Sequence, residues 1–154
     1  MSTADDLAAV RQLKVDYAVA TDAIAAGDTA AGLAVYREAF TPDARISAGF
    51  DPAAPDVVAT GPEEWAAACE ASFAPFSGAH HLIGSLDARA DGADPDRATL
   101  TAYLTATMLP SEGRDLTRIL GTYHDVAVRR DGRWRIAESF LRYFSIESGP
   151  RVAP

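Results

Sequence analysis

Apolar and polar residues follow two different periods along the chain, and the period changes near Gly78. Before Gly78, apolar residues recur every three or four positions, as they do on one face of a helix. This spacing predicts three helices, over residues 5–26, 28–40 and 61–78. After Gly78, long runs rich in strand-forming residues and separated by turn residues predict a four-stranded antiparallel meander. Its strands are expected over residues 79–90, 97–109, 116–130 and 133–146, with a further short strand over 44–50.

The residues at the ends of the helices support this division. Gly27-Asp28 is expected to end the first helix and cap the second, and Gly61-Pro62-Glu63-Glu64 places proline and acids in the first turn of the third. A buried stripe is expected along the third helix, at Trp65, Cys69, Phe73 and Phe76. Helices followed by strands predict an α+β fold with the helices on one face of a bent sheet. No repeat or linker divides the chain, so we expect a single domain over residues 1–154.

Asp131-Gly132 lies between two strand-like runs and predicts a two-residue β-hairpin. The turn sets Arg130 opposite Arg133, and the register then extends along both strands. Further from the turn, the expected pairs are Asp125 with Glu138, Tyr123 with Phe140 and Gly121 with Arg142.

This register gives one face of the hairpin an unusual charge arrangement. Carboxylates directly opposite each other repel unless a cation or a shared proton compensates them, and Asp125 faces Glu138 in this way. Strand alternation places Arg142 on the same face, where it is able to compensate both acids. The three residues are therefore expected either to form a buried ion network or to bind substrate.

Composition and charge exclude several classes of protein. With 22 acidic residues against 14 basic ones, the net charge of −8 disfavours binding to nucleic acid or anionic membranes. No apolar run is long enough to span a bilayer. The single cysteine, Cys69, cannot form an internal disulfide and is expected to pack in its helix, and the first residues do not resemble a signal peptide. These observations predict a cytoplasmic protein.

Five short motifs occur in a fixed order along almost the whole chain. They are Leu13-x3-Tyr17-x4-Asp22-x4-Gly27-Asp28, Phe40-Thr41-Pro42-Asp43-Ala44, Gly61-Pro62-Glu63-Glu64, His80-His81-Leu82-Ile83-Gly84 and Gly121-Thr122-Tyr123-x7-Asp131-Gly132-x-Trp134-Arg135-Ile136. Together they resemble the SnoaL-like branch of the nuclear transport factor 2-like superfamily, and within it the scytalone dehydratase and hexachlorocyclohexane dehydrochlorinase group. The resemblance implies a cone-shaped fold in which a strongly bent mixed or antiparallel sheet wraps around three N-terminal helices. This scaffold carries dehydratases, isomerases, cyclases and non-catalytic binders, so it does not fix the reaction.

The resemblance also implies a catalytic pair, Asp22 on the first helix and His81 at the start of the first long strand. A histidine whose second ring nitrogen meets a carboxylate is a base able to remove a proton beside a carbonyl or a leaving group. Strand alternation alone favours His80, which shares its face with Leu82, Leu86 and Ala88, and either a β-bulge or a packed outer sheet face would reconcile that pattern with His81. Asp22 is equally explained as a solvated residue in the last turn of its helix. Tyr17, Tyr123 and Trp65 are expected to bind substrate, although all three also fit the buried core.

Three functions remain open on this basis. The first is a cofactor-independent lyase or isomerase acting on a small apolar or aromatic substrate, and the second is a binding domain with the same pocket. The third is an interaction or scaffold protein, which would have a filled cone with no cavity. No metal pair, phosphate loop or nucleophile elbow is present, so neither a metal nor a cofactor is expected. A homodimer or higher homo-oligomer is expected from an apolar stripe on the outer sheet face, formed by Thr122, Val126, Val128, Ala137 and Leu141.

Overall fold

A computed structural model describes residues 3–113 and 115–150, and within these residues the chain forms three helices and one six-stranded sheet. The helices are α1 (Thr3–Ala25), α2 (Thr29–Ala39) and α3 (Gly61–Phe73). The strands are β1 (Phe40–Gly49), β2 (Val57–Thr60), β3 (Phe76–Ala90), β4 (Arg97–Pro110), β5 (Asp115–Arg130) and β6 (Arg133–Pro150). The predicted α+β class is confirmed. None of the helices in the described ranges is long and apolar enough to cross a membrane.

The helix boundaries follow local backbone chemistry. Gly27, with φ of +92°, adopts the left-handed conformation that ends α1, and the Asp28 carboxylate accepts a hydrogen bond of 3.1 Å from the Ala31 amide at the start of α2. The predicted roles of both residues are therefore confirmed. Helix α3 stops at Phe73, five residues before the predicted end, because Phe76 already belongs to β3.

The sheet has the order β2-β1-β6-β5-β4-β3 and is mixed, since β1 runs parallel to β6 and all other pairs are antiparallel. Strands β3 to β6 form the predicted meander. Strand β1 begins at Phe40, earlier than expected, and its register is irregular between Phe40 and Arg45, where Pro42 cannot donate to a ladder. The four-residue edge strand β2 was not predicted.

The predicted hairpin register is right near the turn and wrong beyond it. The pairs from Arg130 with Arg133 to Ala127 with Ile136 form as expected. A β-bulge at Ala137 then shifts β6 by one residue, and because side chains alternate along a strand, every residue from Glu138 to Tyr143 changes face, up to a further shift at Phe144. The observed pairs are Val126 with Glu138, Asp125 with Ser139, Tyr123 with Leu141, Thr122 with Arg142 and Gly121 with Tyr143. Asp125 therefore does not face Glu138, and Glu138 and Arg142 are exposed on the outer side of the sheet.

Because of the same bulge, two residues of the predicted apolar stripe do not lie on the outer face. Leu141 is 8% exposed and belongs to the inner core, and Ala137 occupies the bulge itself. Thr122, Val126 and Val128 remain half-buried. The homodimer expected from this stripe stays a prediction.

Strand β3 also contains a bulge. Gly84 pairs with Tyr103 and Asp87 with Thr101, so Ser85 and Leu86 together lie opposite one residue of β4. Ser85 has φ of +50°, a conformation uncommon for a residue with a side chain. The bulge lets Ala88 be buried on the same side as His81, which is one of the two arrangements expected to reconcile the alternation pattern with His81.

Candidate active site

A cavity of about 250 Å³ lies between the helices and the inner face of the sheet. Its lining is mostly aliphatic and aromatic, with a few hydroxyl groups and one imidazole. The lining residues are Tyr17, Thr21, Ala48, Val57, Trp65, Ala68, Cys69, Ser72, Phe73, Phe76, His81, Leu104, Ala106, Met108, Thr117, Ile119, Tyr123, Leu141 and Tyr143. Such a concave, apolar space with a few polar groups is typical of a small-molecule site.

Asp22 and His81 meet at the wall of this cavity. The Nδ1 atom of His81 lies 2.6 Å from Oδ1 of Asp22, and the backbone N–H of His81 also donates to both carboxylate oxygens, at 3.1 and 3.2 Å. The Asp22 carboxylate thus binds both the imidazole ring of His81 and the backbone of β3. With Nδ1 turned towards Asp22, the nitrogen left for a ligand is Nε2. The His81 side chain is 7% exposed and that of Asp22 is 27% exposed.

The geometry of α1 and β3 explains this meeting. Thr21 lies one helical turn after Tyr17, and both line the cavity. Asp22 is turned away from that stripe towards the start of β3, which packs along the helix and brings its backbone within reach. The bend of the sheet around α1 therefore allows Tyr17 and Asp22 to serve one site although they project in different directions. His80, the neighbouring histidine, is exposed.

Three hydrogen-bond donors converge in the cavity from Tyr17, Tyr123 and Trp65. Burial raises the pKa of both tyrosine phenols well above the ordinary value of 10.0, so both remain protonated. The indole N–H of Trp65 is buried close to the Tyr17 hydroxyl, but it makes no well-oriented hydrogen bond to any residue in the described ranges. An unpaired buried donor is costly, and a ligand oxygen would satisfy it.

A polar chain that the sequence did not reveal runs behind Tyr17. The Thr21 hydroxyl donates to the Tyr17 carbonyl at 2.7 Å, so in the 2.6 Å contact with Tyr36 it must accept the phenol proton. Cys69 lies 3.7 Å from the Tyr36 hydroxyl. Burial raises the pKa of the Cys69 thiol to about 12, which leaves it protonated and unreactive, as its packing position predicts.

The structure places the other three predicted substrate-binding residues outside the cavity lining. Asp125 is buried, with Oδ2 at 2.7 Å from Lys14 Nζ, and its Oδ1 accepts a 2.7 Å hydrogen bond from Ser139. Glu138 is exposed and lies 3.7 Å from Arg97. Arg142 is exposed on the outer face. The predicted network of Asp125, Glu138 and Arg142 is therefore wrong, because the Ala137 bulge places Glu138 and Arg142 on the other face, and Asp125 pairs with Lys14 instead.

Lys14 is the residue that sequence reasoning missed. It is the only lysine in the chain, and it is fully buried. The signal was its place in the apolar stripe of α1, four residues after Val10 and three before Tyr17. Within the described ranges, no group of three or more His, Cys, Asp or Glu side chains has the geometry to hold a metal ion.

The sequence profile of the SnoaL-like domain matches residues 2–139. This match confirms the resemblance drawn from the five motifs. No curated protein is similar enough in sequence to match.

Solved structures show the same fold. A protein of Kribbella flavida is 26% identical, with 95% of each chain covered and a TM-score of 0.77. A Novosphingobium aromaticivorans protein, provisionally named a scytalone dehydratase, is 20% identical over 96% of this chain and 90% of that one, with a TM-score of 0.73. A hexachlorocyclohexane dehydrochlorinase of Novosphingobium barchaimii is 18% identical over 96% of this chain and 94% of that one, with a TM-score of 0.72. The predicted nuclear transport factor 2-like fold is confirmed.

Proposed function

Because the chain belongs to the SnoaL-like domain family, we propose that it is a small-molecule enzyme that removes a carbon-bound proton from a neutral ring compound without a cofactor. The overall reaction is an elimination or an isomerisation, which makes the protein a lyase or an isomerase. One observation carries this proposal, the 2.6 Å contact between His81 and Asp22 at the wall of an apolar cavity. A paired imidazole in such surroundings is a positioned general base.

In this mechanism His81 accepts the substrate proton at Nε2, because Nδ1 is held by Asp22. The Asp22 carboxylate stabilises the imidazolium that forms. The electron pair of the broken C–H bond forms a new double bond. In an elimination, that step expels a leaving group from the adjacent carbon, and His81 then passes its proton to the leaving group or to solvent, which restores the base. In an isomerisation, His81 returns the proton to a different carbon.

The donors of Tyr17, Tyr123 and Trp65 stabilise negative charge that develops on a substrate oxygen or leaving group. Both phenols are protonated at neutral pH because burial raises each pKa, so they donate rather than accept. The unpaired Trp65 N–H supplies a third donor. Donors fixed in a water-poor site stabilise developing charge more strongly than water does.

The cavity lining favours a neutral apolar or aromatic substrate. Apart from His81 and the carboxylate it touches, the lining within the described ranges carries no ionisable side chain other than phenols and the protonated Cys69 thiol. A charged substrate would enter this space without compensation, at high desolvation cost. Two structural neighbours bear the names of elimination enzymes, a dehydratase and a dehydrochlorinase, which agrees with the reaction type proposed.

The test is a turnover screen with neutral ring compounds that carry a proton beside a carbonyl group or a leaving group. On any substrate found, His81→Asn should lower kcat by about 10²–10⁴-fold, because the base is lost while the shape is kept. Ligand affinity, measured by isothermal titration, should change little. His80→Asn is the matched control, since that neighbouring histidine is exposed and should leave kcat unchanged.

Two results would overturn this proposal. Full activity of His81→Asn would remove the base from the mechanism. Tight binding of ring compounds with no turnover of any of them would instead indicate a non-catalytic binding domain on the same fold.

We also propose that the protein is a cytoplasmic homodimer, paired through the outer face of the sheet. Tyr103 is 63% exposed on that face, and Phe140 and Val126 lie there half-buried. Exposed apolar surface of this kind favours association. Sedimentation at micromolar concentration should give a dimer that Tyr103→Lys dissociates, and a monomeric wild-type protein would contradict the pairing.

A further inference from the structure

The single lysine of the chain lies directly beneath the two tyrosines of the cavity. Lys14 Nζ is 4.4 Å from the ring centroid of Tyr17 and 3.9 Å from that of Tyr123. The two rings are themselves in contact, with centroids 5.6 Å apart and planes at 75°. One ammonium group therefore touches two aromatic rings that line the cavity, while the lysine itself does not line it.

Asp125 and Ser139 hold this ammonium group in place. Asp125 Oδ2 lies 2.7 Å from Nζ, the side chains of both residues are 0% exposed, and Ser139 fixes the second carboxylate oxygen. Burial lowers the pKa of Lys14, and the Asp125 charge opposes that effect. Such a pair is a poor source of stability, because the cost of burying both charges offsets most of their attraction.

The choice of lysine is itself informative. The chain has 14 basic residues, and all of the others are arginines. An ammonium is a compact charge that fits between two ring faces and one carboxylate, whereas a planar guanidinium is larger and requires a different arrangement. A cation against the face of an aromatic ring attracts its electron density. In a phenol, this withdrawal makes the hydroxyl a stronger hydrogen-bond donor.

We propose that Lys14 is a positioning residue that acts through Tyr17 and Tyr123, orienting the two rings and strengthening their hydroxyls as donors to a ligand oxygen. It thereby gives the cavity a preference for ring compounds that carry a carbonyl or similar acceptor over hydrocarbons of the same shape. This inference deepens the proposed function and uses the same cavity, but it concerns ligand selection and not the proton-transfer step.

The first test measures that preference with a matched pair of probes, 1-indanone and indane, which differ by one carbonyl oxygen. By isothermal titration, wild-type protein should bind the ketone at least about tenfold more tightly. In the charge-free variant Lys14→Met with Asp125→Asn, the affinities for 1-indanone and indane should differ by less than about threefold. The affinity for indane should be nearly unchanged. The matched control is Arg129→Met with Asp6→Asn, which removes a 2.9 Å ion pair away from the cavity lining and should keep the full preference.

A second test needs no variant and stays informative if the charge-free protein does not fold. Because Lys14 is the only lysine, lysine labelled with ¹³C at Cε gives one side-chain signal in a nuclear magnetic resonance spectrum. Saturation with 1-indanone should shift this signal, and saturation with indane should leave it nearly unchanged, because only the ketone accepts hydrogen bonds from the Tyr17 and Tyr123 hydroxyls.

Several outcomes would overturn the proposal. The wild-type protein would contradict it by showing no preference for the ketone or by binding neither probe. The folded charge-free variant would contradict it by keeping the preference or by losing affinity for both probes equally. The lysine signal would contradict it by responding identically to both probes. Each concerns binding alone. The effect of His81→Asn on kcat can therefore fail or succeed independently, which separates this inference from the proposed function.

Discussion

Two carboxylate pairs in this protein differ in burial, and the difference separates their roles. Asp22 and His81 meet at the cavity wall, with side chains 27% and 7% exposed. Asp125 and Lys14 meet below the cavity floor, where both side chains are 0% exposed. The contact distances, 2.6 and 2.7 Å, are nearly equal.

Access to a ligand, and not contact distance, decides what such a pair can do. The wall pair keeps one imidazole nitrogen turned towards the cavity, so it is able to exchange a proton with a bound molecule. The floor pair reaches the cavity only through the rings of Tyr17 and Tyr123. It therefore acts as a fixed charge, and the predictions below separate the two pairs.

Removing the lysine of the floor pair should have the largest effect. Lys14→Met leaves the Asp125 charge buried without its cation and should lower the free energy of unfolding by about 3–5 kcal/mol. Adding Asp125→Asn should restore much of that loss. Urea denaturation measures both. A single variant as stable as the wild type would show that the floor pair is solvated, which would contradict the comparison.

Changing the acid of the wall pair should affect activity and leave stability nearly intact. Asp22→Asn retains an acceptor for the His81 amide but no longer stabilises the imidazolium, so kcat should fall by about 100-fold. Thermal denaturation should show a loss of under about 1 kcal/mol, because the group is partly exposed. A large loss of stability with unchanged kcat would reverse the assignment of the two pairs.

Alkaline pH should distinguish the buried floor from the wall. Burial raises the pKa of Tyr17, Tyr36 and Tyr123 above the ordinary value of 10.0. The folded state then keeps protons that the unfolded chain releases, so this stabilisation is complete below pH 10 and declines as pH rises beyond it. Each phenol contributes about 1.4 kcal/mol of that loss per pH unit, and the lowered pKa of Lys14 acts in the opposite sense.

The measurement is urea unfolding at pH 8, 10 and 11, with Tyr123→Phe as the variant. In this variant the free energy of unfolding should decline less steeply above pH 10, by about 1.4 kcal/mol per pH unit, because one buried phenol has been removed. Equal slopes in the two proteins would contradict the burial of Tyr123.

Periodicity and turn chemistry predicted the three helices and the four long strands, because each is long and its ends carry strong signals such as Gly27-Asp28 and Asp131-Gly132. The short edge strand β2 has only four residues, too few for a pattern. The bulge at Ala137 was also beyond prediction. Alanine has no conformational preference that marks a bulge, and what fixes the shift is packing of the inner face against the helices.

The candidate site was likewise predicted only in part. The meeting of Asp22 with His81 was expected from the family resemblance, and a bulge in β3 was one of two arrangements expected to allow it, although its place at Ser85 was not predicted. Lys14 was not predicted as the partner of Asp125, because the two residues lie on α1 and β5, 111 positions apart in the sequence. Local patterns carry no information on such a contact.

The bulge at Ala137 also bears on how the cavity of this protein can change over evolutionary time. A deletion of that one residue would leave the pairs beyond it in place, because Glu138 would follow Ile136 directly and still lie opposite Val126. An insertion of one residue directly after the bulge would instead turn the following part of β6 over, so that Phe140 and Arg142 would replace Leu141 and Tyr143 at the cavity. A single insertion would thus exchange several cavity residues at once and introduce a positive charge, so insertions in β6 among related sequences should mark changes of ligand class.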